Sequence, residues 1–255
     1  MLLSSLTTVH ALVVGATQGI GLEFVQQTLQ DERTAHVFAT YRSEQTATQL
    51  FSLAEQHPQR LHCIKMDITE ETQITEGIAN IQAIVPNLHF VINCVGLLHN
   101  EQQQPEKALR QLNTENLLNY FQVNSIGPAL LTKHVMPLLK HKEPSLLATI
   151  SAKIGSIGDN RIGGWYGYRA SKAALNMFLK TASIEYRRRN PNTAIVMLHP
   201  GTTDTGLSKP FQRGVPPEKL FSTEKTVSQL MTVLSDVKLE DSGEFFSWDG
   251  SRLPW

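Results

Sequence analysis

The segment "WYGYRASKAALNMF", residues 165–178, sets Tyr168 and Lys172 four residues apart in a stretch of helical period. At that offset a phenol and an ammonium share one face of a helix, one turn apart. Tyr166 has Ala170 at the same offset and so no cation beside it. Many such pairs only pack or meet solvent. Their chemical use is proton transfer: reducing a ketone puts hydride on carbon and needs a proton on oxygen. A phenol of ordinary pKa, about 10, is a slow partner for that step at neutral pH. An ammonium within about 4–6 Å favours the phenolate. Raising the acidity by about two or three powers of ten asks for roughly 3–4 kcal/mol, which a cation in a partly desolvated crevice supplies. The spacing predicts Tyr168, with a lowered pKa, as the proton carrier.

Hydride has to come from a bound group, and a glycine turn offers a place for one. "GATQGIG", Gly15 to Gly21, closes the first apolar run and opens a helical segment. Glycines there let backbone approach a pyrophosphate, which then sits on the positive end of the helix. The spacing is G-x-x-x-G-x-G, not the commoner G-x-G-x-x-G. The second apolar run ends in Tyr41 and Arg42. A carboxylate at this strand end suits the ribose 2′-hydroxyl of NAD, whereas an arginine suits the 2′-phosphate of NADP. Asp67, in "KMDIT", either accepts from an adenine amino group or caps the next helix. Asn93 and Gly96, in "NCVG", bring polar backbone to the same crevice. All these segments fall at the carboxyl ends of strands, where open α/β sheets bind ligands.

The elements that must hold these residues alternate along the chain. Strand-like runs lie near 11–16, 35–41, 61–66, 88–95, 146–151, 193–199 and 243–249, and helical segments at about 19–30, 43–57, 70–84, 114–140, 166–190 and 223–235. Ser43 and Thr114 are candidate N-caps. This alternation predicts an α/β, doubly wound (Rossmann) three-layer fold with a seven-stranded parallel sheet. No linker or repeat divides residues 1–255, so one domain is expected. The stretch 200–222 carries Pro200, Gly201, Pro210, Gly214, Pro216 and Pro217, and is longer than an ordinary connection. Such loops often cover a site. With Leu97, Leu98, Ile154, Trp165 and Tyr166 it predicts a mostly apolar substrate pocket.

Composition narrows the classes. Lys plus Arg equals Asp plus Glu at 23 each, so no basic field argues for nucleic acid or anionic lipid. "YRRRN", 186–190, falls at a helix end and fits the helix dipole. Cys63 and Cys94 lie in apolar runs and read as buried reduced thiols of a cytoplasmic protein. The N-terminus lacks a basic n-region, and no stretch reaches the ~18–20 apolar residues of a membrane span. The nine histidines form no H-E-x-x-H or other ligand pattern, so no metal is expected. No G-x-S-x-G elbow supports a serine hydrolase.

Taken together, the motifs resemble those of the short-chain dehydrogenase/reductase superfamily over nearly the whole chain. "GATQGIG" is similar to T-G-x-x-x-G-I-G with Val14 for the threonine, "NCVG" to N-N-A-G, and "YRASK" to Y-x-x-x-K. "PGTTDT" is similar to the turn that leads to a phosphate-binding threonine. The stretch 151–176 and the ending "FFSWDGSRLPW" look most like the carbonyl-reductase and C-factor-like branch. The resemblance implies NADP(H) held by Gly15, Thr17, Gln18, Gly19, Ile20, Gly21, Arg42, Asp67, Ile68, Asn93, Gly96, Tyr168, Lys172, Pro200, Gly201, Thr203 and Thr205. Lys172 would also reach the nicotinamide ribose hydroxyls. It implies a catalytic group of Asn124, a serine, Tyr168 and Lys172, with Asn124 holding a water against the lysine. The serine is a departure: the family reads serine-serine where this chain has Ser151-Ala152. Ser151 and Ser156 are the nearest hydroxyls, and Ser151 is taken as the carbonyl donor. Gln18 stands where NADP-preferring members often carry a basic residue, which leaves that preference to Arg42.

The implied activity is reduction of a small carbonyl, or oxidation of the alcohol. A nucleotide-sugar epimerase also uses Y-x-x-x-K but carries a larger C-terminal domain. The alternative from another class is a dinucleotide-binding signalling or regulatory protein with weak or no turnover, as the C-factor likeness suggests. A homodimer or homotetramer is expected through the helices 114–140 and 166–190, with the terminal "LPW" packed across a subunit boundary.

Overall fold

Strand alternation sorts the apolar residues of each strand onto two faces, and helices cover both. The computed structural model describes residues 2–255. Its strands are β1 (Val9–Val14), β2 (Thr34–Tyr41), β3 (Leu61–Lys65), β4 (Phe90–Asn93), β5 (Ser145–Ile150), β6 (Thr193–His199), β7 (Thr202–Thr203), β8 (Leu220–Phe221) and β9 (Phe245–Ser247). Seven pair in the order β3-β2-β1-β4-β5-β6-β9, all parallel, and β7 pairs with β8 apart from them. The helices are α1 (Gly19–Gln30), α2 (Thr48–Gln56), α3 (Glu71–Gln82), α4 (Thr114–Phe121), α5 (Gly127–Val135), α6 (Tyr166–Arg189) and α7 (Thr223–Asp236).

On one face Ala11, Val13, Ala194 and Val196 pack with Phe24 of α1, Leu50 of α2 and Leu230 of α7. On the other, Leu12, Val14, Ile195 and Met197 pack with Ile74 of α3, Leu131 of α5 and Leu175 of α6. Burial on both faces explains why these strands read as continuous apolar runs. The strand order reverses between β1 and β4, which opens a crevice at their carboxyl ends. Among the described residues no helix is long and apolar enough to cross a membrane.

Several local expectations are corrected. The segment 114–140 is not one helix: α4 gives way to a π turn over Gln122–Ile126, then α5, then a 3₁₀ turn over Met136–Leu139. Pro128 removes one donor and crowds the carbonyl four residues back, so the ladder slips. The Gly127 amide accordingly donates to the Gln122 carbonyl, five residues away. The α4 cap is Asn113, whose side chain accepts from the Asn116 amide, and not Thr114. Ser43 precedes a 3₁₀ turn at Glu44–Thr46 and makes no capping bond. The last strand starts late because Gly243 takes φ 93°. Both thiols are free; Cys63 is half-buried, whereas burial pushes the Cys94 thiol well above its ordinary pKa. Trp255 stacks on Phe245 of its own chain, rings 5.8 Å apart, although it remains 42% exposed.

At the amino ends of the strands, away from the crevice, five histidines form a row. Adjacent ring centroids are 5.1 Å apart for His62–His36, 5.5 Å for His36–His10, 5.3 Å for His10–His89 and 5.2 Å for His89–His141. Burial lowers the pKa of His36, His62 and His89, and neighbouring histidines lower each further; at His89 the Glu143 carboxylate works in the opposite sense. His199, at the far end of the sheet, is pushed down to about 4 by burial. For a base whose folded pKa is depressed, the unfolded chain takes up protons first. The stabilisation is complete above the ordinary value of about 6.5 and is lost as pH falls below it. The urea midpoint should therefore drop between pH ~6.5 and ~5, before paired carboxylates titrate. His36→Gln should make that drop smaller. Equal drops in both proteins would exclude His36 as a contributor.

Candidate active site

The glycine turn is built by backbone packed on backbone. β1 runs into Gly15 at φ 79°, whose amide donates to Thr40 Oγ1 at 3.0 Å, and the Ala16 amide donates to the Thr40 carbonyl at 3.0 Å. A Cβ on Gly21 would stand 2.0 Å from the Gly15 carbonyl oxygen, and one on Gly15 2.7 Å from Val95 Cγ2. Only hydrogen fits at either place. Gln18 begins α1 without a side-chain cap, and the first turn holds no acid. Its amides and the positive end of its dipole thus face the crevice, which suits a pyrophosphate.

Nearly every residue expected to hold the dinucleotide lines one cleft of about 1470 Å³ across the carboxyl ends of the strands. Thr17, Gln18, Gly19 and Ile20 form its floor with Gly15 and Gly21. Arg42 lines it, is exposed, and has no ion pair among the described residues. Asp67 and Ile68 line it as well, and Asp67 Oδ1 accepts from the Thr69 amide and hydroxyl at 2.9 and 2.7 Å. Asp67 therefore ties a turn, while Glu70, just ahead of α3, gives that helix no side-chain cap. Gly96, Pro200 and Gly201 follow around the rim. Thr203 and Thr205 also border it but differ in direction. Thr203 Oγ1 is buried against Thr226 Oγ1 at 2.9 Å, whereas Thr205 stands over the turn, its Cγ2 3.1 Å from where a Gly19 Cβ would be. Asn93 lies behind the wall: its Oδ1 accepts from the Val95 amide at 3.2 Å, and its buried Nδ2 has no partner.

Tyr168 and Lys172 come together where the cleft meets α6. Both are buried, 7% and 2% exposed, and Lys172 Nζ lies 5.9 Å from the Tyr168 ring centroid. Nζ also donates to the Ile150 carbonyl at 3.1 Å. The expected lowering of the phenol pKa is not found. Burial pushes Tyr168 up, with Tyr120 adding to it, and burial pushes Lys172 down to about 8. Desolvation outweighs the attraction of the pair in the protein alone. Asn124 projects from the π turn behind the lysine. Its Oδ1 accepts from the Leu97 amide at 2.7 Å, and its Nδ2 donates to the Leu97 carbonyl at 2.8 Å and to Ser171 Oγ at 3.0 Å. Asn124 thus ties the loop after β4 to α6.

Ser151, expected to serve the carbonyl, instead donates to Asn176 Oδ1 at 2.7 Å beneath α6. Strand alternation places it there, and Ala152 packs with Tyr168, Tyr120, Leu98, Ile154, Trp165 and Phe211. The reacting end is an apolar box. Tyr166 does not line the cleft, because residues two apart on a helix point about 200° away from each other. Motif reading also passed over Phe211 and His99, whose rings lie 5.5 Å apart, with His99 Nε2 donating to the Gly206 carbonyl at 3.2 Å. No spacing pattern links them; the folded loops do.

Among the described residues, His89, His141 and Glu143 bring ligand atoms within 4.8 Å of one another. The chemistry does not suit an ion. His89 Nδ1 accepts the His10 amide, and Nε2 then carries the proton given to Glu143, so the ring keeps no lone pair to offer.

Comparison with known proteins agrees with this geometry. The model of the short chain dehydrogenases matches residues 9–215. An uncharacterized oxidoreductase of Schizosaccharomyces pombe is 27% identical over 254 residues, covering 95% of this chain and 96% of its own. The C-signal protein of Myxococcus xanthus is 31% identical over 148 residues, 58% of this chain and 84% of its own. Among solved structures, the NADPH-bound carbonyl reductase from chicken fatty liver superposes with a TM-score of 0.87 at 29% identity, covering 98% of this chain and 100% of that one.

The Ser151 bond makes one outcome specific. Ser151→Ala removes the donor to the Asn176 carbonyl in a buried setting and should lower unfolding free energy by about 1–3 kcal/mol. Denaturant titration reads this directly, and an unchanged midpoint would show that the bond carries no weight.

Proposed function

We propose that this chain, which belongs to the short-chain dehydrogenase family, is an NADP-dependent oxidoreductase that reduces a small, apolar carbonyl compound or oxidises the matching alcohol. In this reading residues 1–255 act as one dinucleotide-binding domain. The observation that carries it is the meeting of Tyr168 and Lys172, both buried, with an apolar box at one end of a glycine-turn cleft. The unpaired Arg42 guanidinium at the β2 end supports NADP over NAD.

Bound in the cleft, NADPH supplies hydride for the carbonyl carbon. The chain supplies the proton and the shape. Burial keeps Tyr168 protonated at neutral pH, so its hydroxyl is a donor ready for the oxygen that gains charge. Lys172, at about 8, is still mostly an ammonium at pH 7. At 5.9 Å from the ring it stabilises the phenolate left behind by roughly 3 kcal/mol at an effective dielectric near 20. Its lowered pKa also lets it return a proton to that phenolate. Ala152 gives no hydroxyl and Ser151 is engaged with Asn176, so Tyr168 meets the carbonyl oxygen without a serine. Leu118 of α4 and Met177 of α6, 65% and 67% exposed, belong to the face through which a dimer would form.

The same missing hydroxyl favours a second reading, a dinucleotide-binding regulator with little turnover, to which the C-signal relative also points. Incubating the protein with NADPH and a panel of aldehydes and ketones separates the two. Steady NADPH consumption is expected; tight NADPH binding without consumption would favour the regulator. Tyr168→Phe should lower kcat at least ~100-fold with NADPH affinity nearly kept, and Tyr166→Phe should cost little. Equal losses would remove Tyr168 from its role.

Arg42→Asp should turn the preference toward NAD. It removes a charged contact to the 2′-phosphate worth about 1.5–3 kcal/mol and puts a ribose acceptor there instead. Fluorescence titration with both nucleotides measures the change. Wild-type protein that binds NAD as tightly as NADP would show that Arg42 does not select.

A further inference from the structure

Three consecutive residues just ahead of α6, Gly163, Gly164 and Trp165, stand at φ 71°, 69° and 52°. Glycine takes this left-handed region freely; a tryptophan there is a strained outlier. Among the described residues no other non-glycine residue has positive φ. Such strain persists only where the surroundings hold it, and it collects at functional sites.

Two side chains do the holding. Arg169, one residue after Tyr168, donates from Nε to the Gly164 carbonyl at 2.9 Å, from Nη1 to the Ile154 carbonyl at 3.2 Å and from Nη2 to the Gly163 carbonyl at 3.2 Å. One planar fork thereby joins the loop after β5 to the left-handed turn, which a lysine's single point of charge could not do. From the opposite side comes Glu106, 2% exposed, in the polar stretch after β4. Its main-chain carbonyl accepts the Trp165 amide at 2.5 Å, and its Oε2 accepts the Gly167 amide at 3.1 Å. α6 has no side-chain cap of its own and no acid in its first turn. Glu106 serves as that cap from a distant loop, with its charge at the positive end of the helix dipole.

The held residue faces the reacting end of the cleft. The Trp165 ring lies 4.9 Å from Phe211 and 6.3 Å from Tyr168. Phe211 comes from the 200–222 loop, so Trp165 closes the box from one bank of the cleft and Phe211 from the other.

We propose that Arg169 and Glu106 are positioning residues that clamp the Gly163–Trp165 turn, and that the clamped Trp165 forms with Phe211 the wall that limits substrate size. The size limit rests on the carbonyl-reductase reading; the clamp does not.

Amide hydrogen exchange tests the clamp without turnover. In Arg169→Met, the amides of 163–167 should exchange about tenfold faster or more while those of the central strands stay as they were. Benzaldehyde and bulkier aryl aldehydes then test the wall by NADPH consumption. Arg169→Met should raise KM for benzaldehyde about tenfold with a much smaller change in kcat, and should narrow the KM gap between benzaldehyde and the bulkier aldehydes. Trp165→Gly, for which φ 52° is unstrained, should admit the bulkier aldehydes. Adding Arg169→Met to Trp165→Gly should then cost nothing further in KM. Unchanged exchange over 163–167 overturns the clamp, and an Arg169→Met penalty that persists without Trp165 overturns the wall. If Arg169→Met does not fold, Glu106→Ala, which removes the acceptor of the Gly167 amide, is read by the same exchange with Gly167 as the reporting amide. A wild type that exchanges as expected but consumes no NADPH leaves the clamp standing and removes the reductase reading.

Discussion

An ammonium kept out of water governs how this site is assembled. Lys172 is 2% exposed, and burying such a charge costs several kcal/mol unless its surroundings meet it. The fold meets it with backbone. The Ile150 carbonyl at the end of β5 accepts from Nζ, and two glycines make the room. A Cβ on Gly155 would stand 2.8 Å from Lys172 Cβ, and one on Gly96 would stand 3.5 Å from Nζ. α6 can therefore press onto the strand ends at the point where Tyr168 reaches the cleft. The lowered pKa of Lys172 records that the compensation is partial. Under the proposed mechanism, a negative charge formed on the neighbouring phenol would complete it, and the buried lysine would serve a charge that exists only during reaction.

The layer architecture was legible because burial on both faces writes itself as apolar runs, and all seven strands of the main sheet fall within a few residues of their expected places. The cofactor cleft was legible for a related reason: glycines at 15 and 21 are demanded by contacts no side chain could make, and the one at 19 by its left-handed φ of 54°. Directions of individual side chains were harder. Tyr166 was placed in the pocket beside Trp165, yet it turns along the helix away from the cleft; Thr203, assigned through the resemblance, borders the cleft but turns its hydroxyl toward Thr226. The acidity of Tyr168 was misjudged because spacing reveals the cation and hides the desolvation. Glu106 left no mark at all, since a cap supplied from a loop sixty-one residues away has no local pattern.

Ala152 gives the pocket its character. Where a hydroxyl would have drawn a polar substrate atom, a methyl group continues the apolar surface of Leu98, Ile154 and Phe211. The adjacent Ser151 also borders the cleft, but its hydroxyl is directed to Asn176 of α6. In the proposed reduction, recognition of the carbonyl falls on one phenol, and recognition of everything else on shape.

The π turn at Gln122–Ile126 has a consequence for how this gene can change length. One residue more than an α-helix needs is stored there, and it is what carries Asn124 to Leu97 and Ser171. An in-frame deletion of a single codon would let the backbone relax into a regular helix with its flanks still in step, yet it would remove the bulge that brings Asn124 to its partners. Substitutions in this segment can be absorbed one side chain at a time, whereas insertions and deletions cannot. Its length is therefore inherited under a stricter rule than its composition.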